Sequence, residues 1–75
     1  MENFELLTEK EEMWAKMLTE VLSDNNIQFS VIPVYGAGMA LKAGIKERLK
    51  IYVPSEQKEK AELLMAELFS EGKTD

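Results

Sequence analysis

Apolar and polar positions along this chain recur with two periods, one helical and one extended. Phe4 to Thr8, FELLT, is a short apolar run that predicts a first strand. Thr8 and Glu11 form T-x-x-E, in which each side chain can serve the other's free backbone amide, so the pattern predicts a helix from about Glu9. Met13, Trp14, Met17, Leu18, Val21 and Leu22 then fall on one stripe at helical spacing, which makes Trp14 an expected core residue. Asp24, Asn25 and Asn26 end the stripe, because asparagine tolerates the left-handed conformation that closes helices.

Ile27 to Val34, IQFSVIPV, alternates and is rich in β-branched and aromatic residues, which predicts a second strand. Pro33 has no amide hydrogen for a central ladder, so this strand belongs at a sheet edge. Arg48 to Val53 alternates again, with Leu49, Ile51 and Val53 on one face and Arg48, Lys50 and Tyr52 on the other. Pro54 should stop this strand and Ser55 should cap a second helix. That helix carries Ala61, Leu64, Met65 and Leu68 as a stripe with Phe69 beside it, and residues 71–75 read as a disordered tail.

The resulting order is β-α-β-β-α. Right-handed crossovers place the third strand between the first two, giving a three-stranded antiparallel or mixed sheet of order 2-3-1 with two helices on one face. The expected class is α+β, a ferredoxin-like open-faced sandwich lacking its fourth strand, in one domain over residues 1–75. The helices should cover the side carrying Phe4, Leu6, Phe29, Val31, Leu49 and Ile51. The opposite side should show Leu7, Ile32, Val34 and Tyr52 among Arg48 and Lys50.

Composition narrows the chemistry. A 75-residue chain makes one small domain, and such domains bury only about 60% of their unfolded surface. The chain has no cysteine and no histidine, so disulfides, thiolate metal sites and the commonest general base are ruled out. Self-association is the remaining staple, and a homodimer is expected. The first strand, with Phe4, Leu6 and Leu7, leaves one edge unpaired in the 2-3-1 order, so that edge, the open face or both should make the contact. No basic leader, signal-peptide core or run of about 20 apolar residues is visible, which points to a cytoplasmic protein with no membrane association. The net charge of −5 argues against nucleic acid as a partner. The exception is the cluster Lys42, Lys46, Arg48 and Lys50, interrupted only by Glu47.

The opening stretch LLTEKEEMWAKMLTEVLSDNNIQF, the combination of YGAG with KERLKIYVP, and the closing helix SEQKEKAELLMAELF resemble the small bacterial family of prokaryotic signal-transducing proteins, which is compared with the nitrogen-regulatory PII fold. The resemblance covers most of the chain. It implies a ferredoxin-like domain with a regulatory or binding role. In PII proteins the loop between the second and third strands touches partners and borders a nucleotide site, and residues 35–45 take that topological place here.

The glycine-rich stretch after Val34 has three readings. In the plain one it connects two strands, with Met39, Leu41 and Ile45 folding back on the core. In the second it contacts a partner. In the third, successive amides form an anion-holding nest, with Tyr35, Gly36, Gly38, Lys42, Lys46 and Arg48 as candidate ligand residues. Neither a dinucleotide fingerprint nor a Walker loop is present: Leu41 stands where the third glycine would be needed, and no G-x-x-x-x-G-K-[ST] occurs. Glu9, Glu11, Glu12, Glu20, Glu56, Glu59, Glu62 and Glu67 are expected on solvated outer helix faces, and no serine has a histidine to activate it. The expected function is therefore a non-enzymatic regulatory module without cofactor or metal, recognising a protein through residues 35–44 and the sheet-face residues Leu7, Ile32, Val34, Lys50 and Tyr52. The alternative is a PII-like sensor that holds phosphate at the glycine-rich loop.

Overall fold

The structure is a computed structural model that describes residues 3–34 and 47–70. Strand β1 (Phe4–Glu11) leads into helix α1 (Glu12–Asp24), followed by strands β2 (Ser30–Pro33) and β3 (Arg48–Pro54), one turn of 3-10 helix (Ser55–Gln57) and helix α2 (Lys58–Ser70). The sheet order is β1-β3-β2, which is the expected 2-3-1 read from the other end, and both pairings are antiparallel. The class is α+β, with a three-stranded antiparallel sheet and two α-helices among the described residues. Pro33 lies on the edge strand β2, where its missing amide hydrogen breaks no central ladder.

The core is small and built from alternate positions. Ile51 and Val53 of β3 are fully buried, and they meet Ala15, Leu18 and Leu22 of α1 and Ala61 of α2. Leu49, Leu64, Met65, Leu68 and Phe69 pack around this cluster, so the α2 stripe and the β3 alternation lie as the sequence predicts. Burying a Leu, Ile or Val side chain fully contributes roughly 1.5–3 kcal/mol, so each such residue of this cluster adds appreciably to stability. Among the described residues no helix is long and apolar enough to cross a membrane.

The start of α1 departs from expectation. Thr8 does not cap a helix; it pairs with Ile51 inside β1, and the strand continues to Glu11. The cause is β3, whose seven residues offer β1 a partner along their whole length. Glu11 stands at the N-cap in an extended conformation with no side-chain cap. One of the free amides at the helix start is satisfied from elsewhere: Glu12 N–H donates to the Glu47 carbonyl at 3.2 Å. Glu9 and Glu11 are accordingly strand residues, not helix-surface residues.

The later start also turns the helix. The buried face of α1 is Ala15, Leu18 and Leu22, whereas Trp14 is 43% exposed and Met13 and Met17 are exposed too. Trp14 is thus not a core residue. Small Ala15 is buried in the core in its place.

The end of α1 is as the asparagines predict. Asn26 has φ 59°, in the left-handed region. Its N–H donates to Ser23 O, and Ile27 N–H donates to Leu22 O at 2.9 Å. This paired closure is a Schellman motif, completed by burial of both Ile27 and Leu22 in the core. Ile27 therefore closes the helix instead of opening β2, which begins only at Ser30. Ser55 is likewise not a helix cap: its single hydroxyl hydrogen is shared between two acceptors, Asn3 O (3.0 Å) and Glu5 Oε2 (2.8 Å). The expected tail at 71–75 lies outside the described residues.

Candidate interaction surface

One residue of β1 decides what the two sheet faces carry. Leu6 pairs with Tyr52 and Thr8 with Ile51, so Leu7 is an extra residue, a β-bulge. A strictly alternating strand would group Phe4 and Leu6 with Thr8 and Lys10. The bulge instead groups Phe4 and Leu6 with Glu9 and Glu11, opposite Pro54, Tyr52, Lys50 and Arg48. Leu7 packs against the core, and Glu5, Thr8 and Lys10 share its side of the sheet, opposite Val53, Ile51 and Leu49. The expected placements of Phe4 and Leu6 beneath the helices and of Leu7 on the open face are therefore reversed.

The open face is consequently larger and more apolar than the sequence predicts. Phe4, Leu6 and Ile32 are 42%, 44% and 48% exposed, and half-buried Tyr52 stands between Leu6 on one side and Ser30 on the other. Beyond this apolar end lies a two-signed charged end. Glu9 is opposite Lys50 and Glu11 opposite Arg48, while the Arg48 Nε–H donates diagonally to Glu9 Oε2 at 2.7 Å. Arg48 also reaches the Glu9 carbonyl. Ile32 lies opposite Lys50, and Val34, exposed, extends the same register by donating its N–H to Arg48 O at 2.9 Å.

Of the sequence-predicted partner residues, Ile32, Val34, Lys50 and Tyr52 come together here and Leu7 does not. Of the predicted ligand residues, only Arg48 is described, and it is committed to Glu9; Tyr35, Gly36, Gly38, Lys42 and Lys46 lie outside the described residues, as do Met39, Leu41 and Ile45. Phe4, Leu6, Glu9 and Glu11 join the surface unforeseen. The signal for them was the Leu6–Leu7 doublet, where an alternating pattern must break.

The outer edge of β1 has no strand partner among the described residues. It is blunted all the same. A bulge interrupts it, and Glu5 and Lys10 direct charge towards the helix layer, two devices that discourage strand addition. Glu5 is held at the rim by Lys58 Nζ (3.5 Å) as well as by Ser55. The Ser55 hydrogen bond, aided by Lys58, holds its carboxyl below the ordinary carboxylate range.

Of the clefts that flank the other layer, two adjoin the end of β1. Glu11, Glu12, Met13 and Glu47 line one, and Glu47 Oε2 is buried there with no hydrogen-bond partner among the described residues. Among the described residues no group of acids is arranged to hold a metal ion. Lys10, Trp14, Leu68 and Phe69 line the other. No protein-family model, curated protein or solved structure matches the chain.

Proposed function

We propose that this chain is a non-enzymatic, ferredoxin-like regulatory module of the cytoplasm that binds protein through the open face of its sheet, and that in isolation a second copy occupies that face to make a homodimer. The observation that carries the reading is the group of exposed Phe4, Leu6 and Ile32 around half-buried Tyr52 on a face that neither helix covers. Large apolar side chains grouped this way mark contact surfaces far more often than they occur by chance. The adjoining charged end carries acids on β1 and bases on β3, so the same patch offers both signs and can complement a copy of itself. Among the described residues the core holds seven buried hydrophobic side chains, and in a chain without cysteine this leaves stability for association to add.

A binding role is favoured over catalysis on chemical grounds. The chain has no histidine or cysteine, and its described acids are solvent-facing or paired with bases, apart from the one buried Glu47 oxygen. The regulatory part of the proposal rests on the resemblance to prokaryotic signal-transducing proteins, in which residues 35–44 would join the contact as a PII-like loop does.

Sedimentation velocity at micromolar concentration tests the reading. A dimer that Leu6→Lys converts to a monomer, with its far-UV circular dichroism unchanged, supports it. A wild-type monomer, or a dimer indifferent to Leu6→Lys, overturns it. A rise in melting temperature that keeps growing with inorganic phosphate concentration would favour the phosphate sensor instead.

A further inference from the structure

The bulge at Leu7 has a consequence on the helix side of the sheet. It turns Lys10, a residue of the solvated charge run EKEE, towards the helices, opposite Leu49. There the Lys10 ammonium lies 4.5 Å from the centroid of the Phe69 ring. Phe69 in turn meets Trp14 edge to face, with ring centroids 5.8 Å apart and planes at 66°. With Leu68 these three side chains line a cavity of about 250 Å³ where the end of β1, the first turn of α1 and the last turn of α2 converge. Among the described lining residues there is one charge, and it is positive.

A lysine that merely shields the edge of a core accounts for the contact with Phe69. It does not account for the open cleft these side chains line, nor for a tryptophan that stays 43% exposed beside an aromatic partner. The walls are flat and apolar, which suits a planar ring. The ammonium suits an anion, and its present position over the Phe69 face is a weak cation–π contact that a carboxylate would outcompete. The volume sets the size, since a cavity of about 150 Å³ takes one benzene ring. One ring with a short acidic arm is of the size this cleft accommodates.

We propose that this cleft binds a small aromatic carboxylate, its ring against Trp14 and Phe69 and its carboxylate on Lys10 Nζ. The site lies on the opposite side of the sheet from the protein-binding face and does not depend on it. An open cleft of this size gives dissociation constants on the order of a millimolar.

The test uses phenylacetate as probe, with 2-phenylethanol as its uncharged counterpart and acetate as its ringless one. Trp14 is the sole tryptophan, so its emission reports the site directly. Phenylacetate is expected to change that emission saturably, with 2-phenylethanol binding about three- to fivefold more weakly, the ratio a partly exposed ion pair supports, and acetate giving no saturable change. In Lys10→Met, which keeps the apolar stem, phenylacetate should fall to the level of 2-phenylethanol. Lys60→Met, on the exposed surface of α2, should leave phenylacetate binding as in the wild type. No saturation below about 20 mM, far above the affinity such a cleft allows, overturns the proposal. So does equal binding of acid and alcohol, or a Lys10→Met protein that binds as the wild type does. Should Lys10→Met lose its helical circular dichroism, the acid-to-alcohol ratio in the wild type decides alone.

Discussion

The two faces of this sheet are drawn from the same three strands, yet they differ in what each strand contributes. On the helix side β3 supplies fully buried Ile51 and Val53, while β1 supplies Glu5, Thr8 and Lys10 along with Leu7. On the open side β3 supplies Arg48, Lys50 and Tyr52, while β1 supplies Phe4 and Leu6. The central strand follows the usual rule of apolar inside and polar outside; the edge strand breaks it. A strand with neighbours on both sides is fixed by the whole sheet. An edge strand need satisfy only one ladder, and a single extra residue changes which of its side chains meet the core.

This contrast can be broken most forcefully at its buried end. Ile51→Ala is expected to lower unfolding free energy by about 2–5 kcal/mol, whereas Leu6→Ala, on the same sheet but the other face, should move the monomer by no more than about 0.5 kcal/mol. Urea titrations of both variants, at concentrations below any self-association, check the difference. Equal losses would mean that the open face is covered. Deletion of Leu7 is the next test. It removes a bulged residue without altering any other β1–β3 pair, so the fold should survive with a loss of about 1–2 kcal/mol for one partly buried leucine. The regularised edge should then associate more readily, visible as a larger sedimentation coefficient. Trp14→Ala should cost about 1–2 kcal/mol, short of the value for a buried aromatic, because the ring is half in solvent and keeps only its edge contact with Phe69. The smallest effect concerns Glu5. Its carboxyl is held below its ordinary value by Ser55 and Lys58, so the stability it adds is present above the unfolded-state value and is lost as pH falls through the lower folded-state one. Urea midpoints followed from neutral to acidic pH should drop less steeply in that window for Glu5→Gln than for the wild type.

Much of this arrangement was legible in the residues themselves, wherever one local rule had no competitor. Asn26 closes α1 because few other residues accept its backbone geometry, and Pro33 belongs at an edge whatever the rest of the sheet does. The alternation of Leu49, Ile51 and Val53 names the buried face of β3 unaided. Where a local signal competed with a distant partner, the partner prevailed. T-x-x-E at Thr8 is a sound helix start, but the ladder to β3 keeps Thr8 and Glu11 extended. That displacement of the helix start turns Trp14 outwards, and the extra residue at Leu7 exchanges Leu7 for Phe4 and Leu6 on the open face. Ser55 would cap α2, were Asn3 and Glu5 not brought beside it by the same ladder. The candidate surface was thus half visible, through Ile32, Val34, Lys50 and Tyr52 on strands with clear alternation. Its β1 half depended on pairing across tens of residues.

The order β1-β3-β2 also sets a timetable. Both outer strands are synthesised before the strand that joins them, and the contacts that fasten β1 reach far along the chain: 39 residues separate Glu9 from Arg48, and 52 separate Asn3 from Ser55. At roughly 5–20 residues per second, a ribosome leaves Phe4, Leu6 and Leu7 without their partner strand for some seconds. Helix α1, closed by its own asparagines, needs no such wait. Nascent chains halted before Arg48 should therefore hold at most a helix and no sheet, and protease protection of β1 should arrive in one step once Pro54 has cleared the exit tunnel.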